Sequence, residues 1–154
     1  MIAIIPARSG SKGIVNKNIC HVSGLPLIVY TINAALKSGV FRDVYVTTDG
    51  EDIAKIARDY DVTVIERPAN LAEDSTDMIC VIKHVHEWLP CAHKEKDDLF
   101  CLLQPTSPLR TADHIKECVT LFLEGKWRCA VSVCENEHTP YKSFKMHEKT
   151  LISL

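Results

Sequence analysis

Not one Asp or Glu occurs in the first 42 residues, although the chain as a whole carries 20 acids against 18 Lys and Arg. Arg8, Lys12, Lys17, Lys37 and Arg42 give that segment a charge of +5, while the remaining 112 residues, with 13 basic and 20 acidic side chains, carry -7. An acid-free, basic N-terminal third is suited to an anion, although chance and burial also thin out acids. The overall charge of -2 excludes a generally basic surface of the kind that binds nucleic acid. No apolar run approaches the ~18 residues that would span a bilayer, so no membrane partner is expected. The apolar start, Met1 to Ile5, is too short for a signal peptide and has no basic leader. Seven cysteines with no CxxC pair exclude an obvious disulfide framework and suit a reducing cytoplasm. There is no low-complexity linker and no internal repeat.

What is present is 154 residues, 46% of them hydrophobic, enough for a single core and one domain over residues 1–154. Lys149 to Leu154 reads as the beginning of an apolar element with no turn after it, so the domain is expected to lack its C-terminal portion.

Short β-branched or apolar runs alternate with helical spacing. Ile2 to Pro6, Val44 to Thr48, Val62 to Ile65, Leu99 to Leu103 and Cys129 to Val133 read as five strands. Between them, Pro26 to Leu36 with Gly39 beyond its end reads as a helix, as does the face Ile53, Ile56, Ala57, Tyr60. The faces Ile79, Ile82, Val85, Leu89 and Ile115, Cys118, Val119, Phe122 give two more. The cysteines, Trp88 and Trp127 are expected to pack in the core, and His84 and His86, two apart on a helix, point away from each other. Cys91 and His93 lack further ligands at zinc spacing.

Five strand-helix alternations imply right-handed crossovers and a three-layer α/β architecture with a mainly parallel sheet. Ligands of such sheets bind outside the carboxyl ends of the strands. The loop after the first strand, Pro6-Ala7-Arg8-Ser9-Gly10-Ser11-Lys12-Gly13 with Lys17-Asn18, offers flexible backbone, two hydroxyls and three cations to a polyphosphate; the competing reading is a solvated turn. It is neither a Walker A loop nor a GxGxxG fingerprint. The loop Gln104-Pro105-Thr106-Ser107-Pro108-Leu109-Arg110 is stiffened by two prolines, either as a preorganised donor set or as a rigid turn before a helix capped by Thr111 or Ser107. Asp49 reads as an N-terminal helix cap in preference to a metal partner.

Together with Val46-Thr47-Thr48-Asp49, Arg67-Pro68-Ala69 and Asp74-Ser75, these loops make the chain resemble the acylneuraminate cytidylyltransferases, or CMP-sialic acid synthetases. The resemblance runs in order along essentially the whole chain. It implies a Rossmann-like nucleotidyltransferase (nucleotide-diphospho-sugar transferase) fold, and attack by the anomeric hydroxyl of a nine-carbon 2-keto sugar acid on the α-phosphate of CTP, with Mg²⁺.

By the resemblance, Arg8 and Lys12 serve catalysis at the triphosphate. Ser9, Gly10, Ser11, Lys17, Asn18, Arg67 and Ser75 complete the nucleotide site, and Gln104, Thr106, Ser107 and Lys142 face the sugar. Lys142 matches a lysine that reaches into the neighbouring subunit, which implies a homodimer. Met78 stands where some relatives have a serine near the base. The late Asp-x-Asp that binds the metal in the family has no counterpart after Lys142, where Glu148 is the only acid, so no metal ligand is expected in this chain. The resulting expectation is a cytoplasmic enzyme that activates N-acetylneuraminate. The alternatives are legionaminate or pseudaminate as substrate, or a catalytically silent nucleotide-binding module.

Overall fold

All five residues of the first apolar run, Ile2–Pro6, are buried, as a strand flanked on both faces requires. In a computed structural model the chain is described over residues 1–11, 13–89, 99–125 and 127–133, together with the backbone of Phe144–His147 and Thr150–Ser153. Strand β1 (Ile2–Pro6) is followed by a short β2–β3 hairpin (His21–Val22, Leu25–Pro26) and helix α1 (Leu27–Ser38). Then come β4 (Asp43–Thr48), α2 (Glu51–Asp59), β5 (Thr63–Glu66), α3 (Met78–Trp88), β6 (Phe100–Leu102) and α4 (Ala112–Glu124). The backbone of β7 (Phe144–His147) pairs antiparallel with β8 (Thr150–Ser153), within the stretch read as an apolar element.

The main sheet has the order β5-β4-β1-β6, and all its pairings are parallel. The side chains of β1 alternate between two cores. Ala3 and Ile5 pack with Ile28, Val29 and Ile32 of α1, Ile53 and Ala57 of α2, and Ile115 and Val119 of α4. Ile2 and Ile4 pack on the other face with Val85 and Leu89, at the end of α3. This is the expected three-layer α/β arrangement. Burying an isoleucine completely, as at Ile2, Ile4 and Ile5, contributes roughly 1.5–3 kcal/mol over leaving it in water.

Local signals end the helices where the sequence places them. Gly39 closes α1 in the left-handed region (φ 65°), the conformation that an L side chain resists. Thr111 caps α4 through a reciprocal box with His114, which decides between the two candidate caps. The β2–β3 hairpin went unread, although Ser23 and Gly24, both at positive φ (47° and 91°), are a two-residue turn signal.

Several expectations are corrected. Residues 129–133 do not form the fifth strand: they pair with no strand of the main sheet, and Val131 is 75% and Val133 90% exposed. Cys129 to Ser132 line, with β6 and α4, a cavity of about 580 Å³, and a ladder forms only at a spacing of about 4.8 Å. Along α3 Val81 joins Val85 and Leu89 on the buried face and Ile82 packs against them, while Ile79, in the first turn, is exposed. Trp88 and Trp127 are 48% and 60% exposed, and Cys20, Cys80 and Cys129 lie at the surface, just before the hairpin, in a first helical turn and in the 129–133 segment. His86 lies edge-on to Phe100. Among the described residues no helix is long and apolar enough to cross a membrane. Cys91, His93 and Glu148 lie outside the described residues.

Candidate active site

Because the four main strands are parallel, the loops after β1, β4, β5 and β6 emerge along one edge of the sheet. The chain runs from β1 outward through β4 to β5, then crosses back to β6 on the other side of β1. That reversal opens a crevice between the ends of β1 and β6, the position where open α/β sheets take their ligands. The basic loop after β1 and the proline-stiffened loop after β6 are its two sides.

The basic loop is held from three directions. Its first amide, Ala7 N–H, donates to Thr47 O at 3.0 Å, continuing the β1–β4 ladder. Ser9 then turns both of its donors onto Asp49: the amide reaches Oδ1 at 2.9 Å and the hydroxyl reaches Oδ2 at 2.6 Å. From inside the loop, buried Asn18 donates through Nδ2 to Arg8 O at 2.9 Å. The Arg8 guanidinium forms an ion pair with Asp74 and a longer contact, 3.4 Å, with Ala72 O.

Asp49 therefore does not cap the helix, contrary to the expectation. Gly50 occupies the cap position of α2, and no side chain caps that helix. Partial burial pushes the Asp49 carboxyl up, but the hydrogen bonds from Ser9 and the positive charge of Arg67 outweigh it and hold the group below its ordinary range.

Arg67, only 7% exposed, donates from Nη2 to Thr47 O at 2.6 Å and from Nε to Thr47 Oγ1 at 3.3 Å, while its amide bonds Thr48 O at 2.8 Å. Burial pulls its pKa down, with Asp49 opposing and Arg8 adding to the fall. The side chain braces the ends of β4 and β5 beneath the loops.

The structure thus gathers Arg8, Ser9, Asn18, Arg67 and the 72–75 segment around the ends of β1, β4 and β5. Gly10 and Ser75 are exposed there, and Ser11 and Lys17 are partly so. Gln104, Thr106 and Ser107 are exposed on the loop after β6, where Arg110 donates to Gln104 O at 3.2 Å and cross-braces the turn. Ser107 and Arg110 also border a cavity of about 570 Å³ that opens toward α4 and the 129–133 segment, away from the basic loop. Lys12 and Lys142 lie outside the described residues. The partnerships of Asp49 and Asp74 were missed by sequence reasoning; the Thr-Asp strand end was the signal at hand for the first, and nothing local announced the second.

The fold is that of the Rossmann-like nucleotidyltransferases. It superimposes with a TM-score of 0.62 on a CMP:2-keto-3-deoxy-manno-octonic acid synthetase solved with CTP, at 20% identity over 80% of this chain and 47% of that one. A cytidylyltransferase from Leptospira borgpetersenii gives the same TM-score at 21% identity, covering 81% and 50%. The chain belongs to the cytidylyltransferase family, whose profile matches residues 2–147. It is 47% identical, over 86% of its length, to the N-acylneuraminate cytidylyltransferase of Escherichia coli O18:K1:H7, and 38% identical, over 90%, to that of Streptococcus agalactiae serotype V. A pseudaminic acid cytidylyltransferase of Campylobacter jejuni is 32% identical over 98% of the chain and 65% of its own length. The chain spans about a third of the length of the first two relatives, 31% and 33%.

Proposed function

We propose that this chain carries the nucleotide half of a CTP-dependent cytidylyltransferase that activates N-acetylneuraminate in the cytoplasm. The observation that carries the reading is the 47% identity with the Escherichia coli enzyme, across loops that meet at the switch point of the sheet. The lower identity, 32%, with the pseudaminic acid enzyme favours neuraminate. In the reaction the anomeric hydroxyl oxygen of the sugar bonds to the α-phosphorus of CTP, and the bond from that phosphorus to the β-phosphate bridge breaks. Pyrophosphate leaves, and the hydroxyl proton passes to solvent.

Such transfer depends on charge neutralisation and in-line placement more than on covalent chemistry from the protein. In this reading Arg8 and Lys12 neutralise charge on the triphosphate, and Ser11, Lys17 and the backbone around Gly10 add donors. Ser9, Asn18 and Arg67 keep that loop in shape from behind, with Ser75 on its far rim. Gln104, Thr106 and Ser107 meet the sugar acid across the crevice, and Lys142 would reach the site of a second copy in a homodimer.

Mg²⁺, the divalent cation implied by the resemblance, would need only one or two carboxylates beside the phosphate oxygens of the triphosphate. Among the described residues no three His, Cys, Asp or Glu side chains converge, and Asp49 and Asp74 are engaged by Ser9 and Arg8. The neutralisation argued above rests on the chain's own cations.

A coupled pyrophosphate assay, run beside calorimetry with CTP, tests the reading. Release that needs both CTP and N-acetylneuraminate, and exceeds that with pseudaminate or legionaminate, is the expected result. CTP binding without turnover on any nonulosonic acid would reduce the chain to a silent nucleotide-binding module, and no CTP binding would overturn the reading altogether.

A further inference from the structure

We propose that Asp49 is a positioning residue that holds the loop after β1 through Ser9 and so fixes where Arg8 stands, beside the 72–75 segment at the ends of β1, β4 and β5. The inference rests on the nucleotide reading above. Arg8 lies between two residues tied to the end of β4: Ala7 through its amide to Thr47, and Ser9 through amide and hydroxyl to the Asp49 carboxylate. The Arg8 carbonyl is fixed by Asn18. With its backbone held on both sides, the Arg8 side chain leaves the loop on the side of the 72–75 segment, where it meets Asp74.

A second observation comes from Gly50. A Cβ built there would lie 2.9 Å from the Ser9 Cβ, so the close approach of the two loops needs glycine at position 50 as well as a carboxylate at 49. Two adjacent residues at the end of β4 therefore serve one contact, and that contact fixes a loop 40 residues earlier in the chain. A carboxylate whose oxygens both accept from one serine orients that residue more firmly than a single bond would. The ordering cost of the loop is then met during folding and not on nucleotide binding.

The role predicts a pattern across variants. Asp49→Asn keeps an oxygen for the Ser9 amide and offers its NH₂ to the Ser9 hydroxyl oxygen, so it should behave nearly as the native chain does. Asp49→Ala removes both partners and should weaken CTP binding by on the order of tenfold, the scale of one misplaced charge-assisted contact. Gly50→Ala, which pushes on Ser9 without touching Asp49, should act in the same direction. The decisive readout is a double-mutant cycle: if Asp49 acts by placing Arg8, Asp49→Ala adds little to the loss caused by Arg8→Ala.

The experiment is calorimetric titration of CTP into the native chain and these variants, with thermal unfolding run on each. Near-native Asn, weakened Ala and Gly50→Ala, and non-additivity with Arg8 support the role. Overturning results are Asp49→Asn as damaged as Asp49→Ala, which points to the negative charge itself, or full additivity with Arg8→Ala. Should Asp49→Ala fail to fold, Gly50→Ala and its cycle with Arg8→Ala decide by the same criteria. Native chain that binds no CTP would refute the nucleotide reading, whereas native binding with unaffected variants refutes this inference alone.

Discussion

Replacing Arg67 by alanine should reveal that this side chain is first of all a brace of the sheet. It is 7% exposed, and its guanidinium donates to Thr47 O at 2.6 Å and to Thr47 Oγ1 at 3.3 Å. Hydrogen bonds from a charged donor contribute roughly 1.5–3 kcal/mol each. The longer one belongs at the bottom of that range or below it. The Thr47 carbonyl would keep the Ala7 amide at 3.0 Å, so removing Arg67 does not orphan it. Desolvating the guanidinium and holding it near Arg8 both work against the native contacts. The net expectation is a loss of about 2–3 kcal/mol, which for a chain of this size lowers Tm by roughly 4–12 °C. Thermal unfolding followed by circular dichroism measures it. Arg67→Lys keeps the charge, cannot reach both acceptors at once, and should recover less than half of the loss. An Arg67→Ala chain that melts with the native one yet binds CTP poorly would refute the reasoning, because the side chain would then face the nucleotide and not the strand end.

Three further outcomes follow from the same site. Asp74→Asn should tighten CTP binding by up to about fivefold, the range of a partly exposed ion pair that a triphosphate no longer displaces from Arg8; unchanged or weaker binding in calorimetry would count against that competition. The depressed Asp49 pKa means that its stabilising contribution is complete above the ordinary value of 3.8 and is lost as pH falls through the lower folded value. Urea unfolding of Asp49→Asn should therefore be flatter than that of the native chain over that acidic range. The Cys101 thiol, pushed up to about 11 by burial and by neighbouring Cys118 against the pull of Arg110, should stay unalkylated by iodoacetamide at pH 8 while Cys20, Cys80 and Cys129 react; peptide mass spectrometry reads this directly.

Much of the architecture is legible in short stretches of chain. The runs Ile2 to Pro6 and Val44 to Thr48 form strands because they are apolar or β-branched and bounded by turn-forming residues. Gly39 and Thr111 end and start helices because their chemistry suits those positions locally. The loops that bear the site follow from the same pattern, since each lies immediately after a strand. Cys129 to Val133 has equally strand-like composition and still forms no strand, because a ladder requires a neighbour at the right spacing.

The residue-to-residue chemistry of the site was decided in three dimensions. Composition made the basic loop a candidate anion site, and the strand pattern by itself determined that cations and glycines would stand at the end of a buried strand. It carried no sign that Ser9 would bind Asp49, 40 residues away, or that Arg8 would meet Asp74, farther still along the chain. Those partnerships exist because the order β5-β4-β1 lays three loops side by side at one edge of the sheet. That order is set by crossover handedness and by two helical layers packing on opposite faces of β1, energies distributed over the whole core and visible in no single stretch of sequence.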